Sequence, residues 1–222
     1  NPVGQTGTIR STTRFCLSSR IEFRFEVTLL QESDVAPFVS TGHLPAPDAI
    51  QQALTTAHSQ FGSNRDGEPS AVYPALATVA PDQFGLCVVS ATGQITAVGD
   101  TETPFTIMSV SKPFVFALVC QAIGPDAALD QIGADATGQA FNAFAPIERD
   151  PGGRTNPMVN SGAIVTTGLI PGASQTERRA TILAGLSAFA GRDLSLNESV
   201  YASAIATNFR NRGLALVLHS LG

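Results

Sequence analysis

An α/β domain, with a sheet flanked by helices, is the fold class this sequence predicts, and three observations lead there. Residues 84–91 and 94–98 are strand-like runs joined through Thr92-Gly93, which predicts a hairpin. Behind them Phe114-Val115-Phe116-Ala117-Leu118-Val119-Cys120 is apolar on every side, which predicts a buried helix. The second half of the chain carries helical spacing and capping signals throughout.

At 222 residues the chain has length for one sizeable domain or a part of a larger one. Its 43% hydrophobic content fits a soluble globular chain with an apolar interior. A net charge of -5 without a basic cluster argues against a nucleic-acid partner. The three cysteines, Cys16, Cys87 and Cys120, share no metal or disulfide spacing. Two lie in apolar runs, so they read as buried free thiols in a reducing compartment, which points to the cytoplasm. The three histidines are scattered, so a zinc site or histidine triad has little support, and no metal or organic cofactor is expected. No apolar run reaches membrane-spanning length, because the helix after Ser109 ends near Gly124, so no membrane partner is expected.

Residues 1–20 are rich in Ser and Thr, carry Arg10, Arg14 and Arg20, and have no acid. Organelle transit segments share that composition with disordered tails. Residues 21–31 begin with a strand-like alternation that nothing nearby pairs with. Residues 1–43 therefore read as a poorly ordered leader or tail, and 44–222 as the folded part.

A helix is expected from Pro47-Asp48, with Ile50, Leu54, Ala57 and Phe61 on one face and Gly62 at its end. Residues 62–71 read as a polar loop, and Tyr73-Pro74-Ala75-Leu76-Ala77 as a short turn or helix. After the hairpin and the apolar helix, Pro125-Asp126 starts a short helix ending at Gly133. Residues 134–159 read as a long loop of functional or lid-like character. It delivers Asn160 to the head of an apolar helix reaching Ile170. Ser174-x-x-Glu177 is a capping box before a helix through Phe189, and a last helical stretch from Glu198 to Leu218 breaks near Thr207-Asn208.

Chemistry concentrates at Met108-Ser109-Val110-Ser111-Lys112, a Ser-x-x-Lys at a strand-to-helix junction. Ser109 and Lys112 are three residues apart, hence on one helical face. Burial and the positive helix end both disfavour an ammonium, which would turn Lys112 into a usable base for the Ser109 hydroxyl. The Ser109 backbone N–H would then be available as an oxyanion donor. Each residue also has a bland role: Ser109 as a helix N-cap, Lys112 as a surface lysine on an apolar stem.

A second constellation, Asn156-Pro157-Met158-Val159-Asn160-Ser161-Gly162-Ala163-Ile164, puts Asn160 51 residues after Ser109. Together with Gly99-Asp100, Lys112-Pro113, Phe141-Asn142 and Arg210-Asn211, it resembles the pattern of the serine-dependent glutaminases. The likeness runs from about Leu44 to the end. It implies a β-lactamase/DD-peptidase-like fold with a helical subdomain, and a serine amidohydrolase that converts L-glutamine to L-glutamate and ammonia through an acyl-enzyme. By position it makes Ser109 the nucleophile and Lys112 its base, with Asn160 and Asn211 holding the amino-acid part of the substrate. It implies homo-oligomers and no cofactor. Read without the family, Asn160 is another helix cap and Asn211 a polar residue on a helix face.

Three departures from that pattern stand out. Met108 replaces Gln before the nucleophile, and Val72-Tyr73-Pro74 occupies the slots of Tyr-Ile-Pro. Ala204, seven residues before Asn211, replaces the glutamate that pairs with the substrate ammonium. That loss costs about 1.5–3 kcal/mol if nothing replaces the carboxylate. Members of the family also continue past the position of Gly222, into further active-site tyrosines and a Lys-Ser-Gly strand, so the chain reads as the front portion of such a domain. Two rivals remain. Tyr201-Ala202-Ser203 resembles the Tyr-x-[Asn/Ser] element of class C β-lactamases and esterases, unless Tyr201 is a core aromatic. The departures also fit an inactive homologue that binds a metabolite or partner.

Overall fold

Helix α1, Pro47–Phe61, begins where proline costs no hydrogen bond, and its first turn carries Asp48, which accepts the Ala49 N–H at 2.9 Å. The computed structural model describes residues 45–221, so the leader and the strand expected at 21–31 lie outside the described residues. Near the end of α1, His58 stacks on Phe84 with ring centroids 5.2 Å apart, and its Nε2 lies 3.1 Å from the Phe84 carbonyl. Gly99 sits at φ 80 directly under that ring, where any Cβ would collide with His58 and the Phe84 oxygen.

Strands β1, Gly85–Val89, and β2, Ile95–Gly99, pair antiparallel with Gly85 opposite Gly99 and Val89 opposite Ile95. Gly93, at φ 85, supplies the left-handed turn position between them. Among the described residues this hairpin is the whole sheet, and eight helices form the bulk of the structure. The architecture is the expected mixture of helix and strand, weighted strongly towards helix.

A 3-10 turn, Met108–Val110, leads into α2, Ser111–Ile123, and α3 follows at Pro125–Ile132. Next come α4, Ala145–Arg149, and α5, Asn160–Gly168. Helices α6, Gln175–Ala190, α7, Glu198–Thr207, and α8, Phe209–Leu221, complete the order. Helix α2 is the hub, packing against α3, α5 and α6. It contributes Val115, Leu118 and Val119 to a core shared with Ala128, Ile132, Ile147 and Leu214. Leu118 fits against Gly185 of α6 where any Cβ would overlap its methyl groups, and Phe114 meets Phe189 at 5.1 Å.

Three expectations change. Among the described residues helix α2 is not buried all round: Phe114 and Phe116 are half-buried and Ala117 is exposed, because the helices packed on it cover only part of its circumference. The stretch 134–159 contains α4, too short to show a helical period in sequence. Cys87 is exposed on the hairpin and Cys120 half-buried, both as free thiols, because the hairpin face that carries Cys87 is not covered among the described residues. The capping box forms with a twist: Ser174 Oγ accepts the Glu177 N–H at 3.2 Å, while the Glu177 carboxylate reaches past Ser174 to the Ala173 N–H at 2.7 Å. No single helix among the described residues is long and apolar enough to cross a membrane.

Candidate active site

Ser109 occupies the 3-10 turn, and the N-cap of α2 is Val110, with no side-chain cap. The serine hydroxyl is therefore not consumed as a helix cap, and the residue is exposed. Met108 before it has φ 44, a left-handed conformation that costs a residue with a long side chain about 1–2 kcal/mol. Ser111 helps to hold it, donating from Oγ to the Met108 carbonyl at 2.7 Å.

One turn on, Lys112 is half-buried. Its Nζ donates to Asn160 Oδ1 at 2.8 Å and to the Met158 carbonyl at 3.1 Å, and lies 5.9 Å from the centroid of the Phe141 ring. These acceptors favour the ammonium, but burial outweighs them and pulls the pKa of Lys112 below that of an ordinary lysine. Among the described residues no carboxylate forms an ion pair with it.

Asn160 is the first residue of α5, whose N-cap is Val159 without a side-chain cap. Its amide is turned inward instead, accepting from Lys112 and donating through Nδ2 to Asn211 Oδ1 at 2.8 Å. The loop ahead of it explains why. Asp150 accepts the backbone N–H groups of Gly152 and Arg154 at 2.9 and 3.1 Å and pairs with the Arg154 guanidinium at 3.0 Å, closing a tight turn. Thr155 N–H then donates to the Ile132 carbonyl at 2.8 Å. Asn156 Oδ1 takes the N–H groups of Met158 and Val159, and its Nδ2 reaches the Asp135 carbonyl at 2.8 Å. Gly162, the third residue of α5, lies so close to the Asn156 carbonyl that a Cβ there would overlap it.

Asn211 comes from the first turn of α8. Its neighbour Arg210 donates from Nε to the Asn142 carbonyl at 2.7 Å and stacks 5.1 Å over Phe144, which pins that turn to the loop before α4. Ser109, Lys112, Asn160 and Asn211 thus converge from three helices and a turn on one cavity of about 800 Å³. Met108, Val72 and Tyr73 also line it, so two of the three departures from the pattern face the same space. Ala204 is half-buried on α7 and is not part of this wall. Tyr201 is no wall residue either: its hydroxyl accepts from Arg179, whose guanidinium stacks on its ring at 4.7 Å.

The sequence reading missed a whole wall of the cavity, formed by Gln175, Arg178, Arg179 and Ile182 on α6. The arginine doublet behind the capping box was visible as a charge pair, but only the packing of α6 on α2 brings it to the cavity.

A serine and a partly desolvated lysine at the head of a core helix, lining one cavity, are the groups a serine-dependent hydrolase of the β-lactamase-like type would use. Comparison with known proteins narrows this. A family model described as glutaminase matches residues 67–222, and the chain belongs to the glutaminase family. Glutaminase 2 of Yersinia pestis is 54% identical over 188 residues, covering 85% of this chain and 55% of that protein. A glutaminase of Brucella abortus (strain 2308) is 42% identical over 175 residues, covering 79% of this chain and 55% of the relative. Among solved structures, that of the probable glutaminase ybaS aligns with a TM-score of 0.76 at 37% identity, over 81% of this chain and 58% of that one. The chain spans about half the length of the curated relatives it matches.

Proposed function

We propose that the protein hydrolyses the side-chain amide of L-glutamine to L-glutamate and ammonia through a Ser109 acyl-enzyme. The observation that carries this reading is the state of Lys112: half-buried, with its pKa lowered, and bound through Nζ to two neutral acceptors. A neutral amine has two N–H donors and one lone pair. With Met158 O and Asn160 Oδ1 taking the donors, the lone pair is left for the Ser109 proton.

In the first step Lys112 removes that proton as Ser109 Oγ bonds to the amide carbon. The carbonyl electrons move onto oxygen, where the Ser109 backbone N–H is a candidate donor. Collapse of the intermediate breaks the C–N bond, and the proton held by Lys112 goes to the departing nitrogen, releasing ammonia. Water deprotonated by Lys112 then attacks the ester carbon, and glutamate leaves as Ser109 recovers its proton. Asn160 and Asn211 hold the amino-acid part of the substrate in this scheme. Membership of the glutaminase family supports the choice of amide and of glutamine. The free thiols of Cys87 and Cys120 fit a cytoplasmic enzyme, and homo-oligomeric assembly is part of the same reading.

The test is ammonia release from L-glutamine by the full-length protein and by its Ser109→Ala and Lys112→Ala variants. Loss of turnover in both is expected. Undiminished activity in Ser109→Ala would sink the mechanism. Hydrolysis of a β-lactam or ester without ammonia from glutamine would shift the assignment to the esterase-like rival. For that rival Tyr201 offers little, since its hydroxyl is engaged by Arg179.

A further inference from the structure

We propose that Ser111 is a positioning residue for the reaction: its hydroxyl holds the Met108 carbonyl and so aims the Ser109 N–H at the developing oxyanion. The inference rests on the Ser109 acyl-enzyme described above. It concerns the second serine of Ser109-Val110-Ser111-Lys112, to which that scheme gives no part in the chemistry.

Among the described residues Met108 is the sole non-glycine with a positive φ, 44. Ile107, Val110 and Ser111 around it are ordinary right-handed helical residues, with φ of -62, -62 and -65. The chain thus reverses hand for one residue, directly before the nucleophile, at a cost that only glycine would escape. Such a conformation persists where its neighbours hold it. Ser111 supplies the hold. Its N–H is shared between the Met108 and Ser109 carbonyls, whereas its hydroxyl donates to the Met108 oxygen alone, at 2.7 Å. The hydroxyl is therefore the contact that singles out the Met108 carbonyl. All these groups lie within residues 107–111, so the device is complete in one turn of chain.

The peptide joining Met108 to Ser109 is trans and planar, so its C=O and N–H point in opposite directions. A carbonyl drawn towards the head of α2 sends the Ser109 N–H the other way, off the front of that helix. Met108 and Ser109 both line the cavity there. A serine hydroxyl has one proton to donate. That of Ser111 goes to Met108, so it does not relay the Ser109 proton. Without the hydroxyl, residue 108 would relax towards the right-handed region and turn the Ser109 N–H out of line. The contacts of Lys112 with Met158 and Asn160 would stay.

The experiment measures ammonia release from L-glutamine by the full-length protein and its variants. Ser111→Ala is expected to lower kcat about tenfold or more, with KM changed less than about twofold, as befits a donor felt in the transition state. Ser111→Thr keeps the hydroxyl and should keep kcat within about threefold of wild type. Ser111→Val, the shape of threonine without its hydroxyl, should match Ser111→Ala. The rising limb of the pH profile should stay in place in all three, because Lys112 is untouched. Glycine at 108 adopts the left-handed conformation without penalty. Added to Met108→Gly, Ser111→Ala is therefore expected to cost no more than about threefold relative to that parent. Wild-type kcat in Ser111→Ala and Ser111→Val, a shifted limb, or an equal loss in both backgrounds would overturn the inference while leaving the glutaminase reading intact. No ammonia from the wild-type protein would overturn both.

Discussion

The Lys112 amine and the Asn160 side-chain oxygen are 2.8 Å apart, and Asn211 fixes the same amide from its other side. Asn160 therefore presents a neutral acceptor to a lysine that the mechanism requires without its proton. An aspartate of the same shape at that position would set a negative charge against Nζ and would also lose the N–H that Asn160 donates to Asn211 Oδ1.

Asn160→Asp is accordingly expected to raise the pKa of Lys112 through the new ion pair. At neutral pH ammonia release drops about tenfold or more, and the rising limb of the rate profile moves to higher pH. A pH series of kcat/KM for wild type and variant reads this directly. An unshifted limb would remove Lys112 from the role of base.

For the wild type, burial lowers the pKa of Lys112 from the ordinary 10.5. The neutral form, which is the active one, then accumulates at lower pH than for a free lysine. Activity should rise with pH along a limb centred below 10.5 and vanish towards acid. Replacing Lys112 with Ala should lower kcat by about 10²–10⁴-fold and abolish that limb.

Gly162→Ala tests the packing under the motif. The added methyl would overlap the Asn156 carbonyl, so either α5 or the loop before it must shift. Destabilisation of about 1–3 kcal/mol is expected. It should appear as a lower urea midpoint with an unchanged slope. Because Asn160 lies half a turn away, kcat should fall together with stability.

Asp150 gives an acid-side prediction. Its hydrogen bond to the Arg154 side chain, with backbone N–H groups added, pulls the carboxyl pKa from 3.8 to about 2. The folded form thus holds the proton less tightly than the unfolded chain. The stabilising contribution is complete above about pH 4 and is lost as pH falls through about 2. Since the carboxylate is solvated, its loss should be a modest effect. Asp150→Asn should narrow its stability gap from wild type progressively below pH 4, measured by urea midpoints across that range.

Periodicity and capping residues made most elements readable, because those signals are local. Gly93 and the flanking apolar runs announced the hairpin, and Ser174 with Glu177 announced α6. Helix α4 was hidden because five residues give no period, and the exposed side of α2 because apolar composition says nothing about which neighbours arrive. In the site, Ser109, Lys112 and Asn160 stood out through their motifs. The role of Asn160 as a bridge could not, since it depends on the meeting of α2, α5 and α8. Arg178 belongs to no motif and becomes a wall residue only through packing.

Leu118 rests on Gly185, and through that contact the helix that bears Lys112 touches the helix that bears Arg178. The gap between the two sides of the cavity is therefore gauged by the absence of a single side chain. A residue as small as alanine at 185 would act as a shim, prising α6 from α2. The amine and the guanidinium would move apart without either being altered. The spacing of the cavity walls would be reset from within the core, at a residue that does not itself line the cavity.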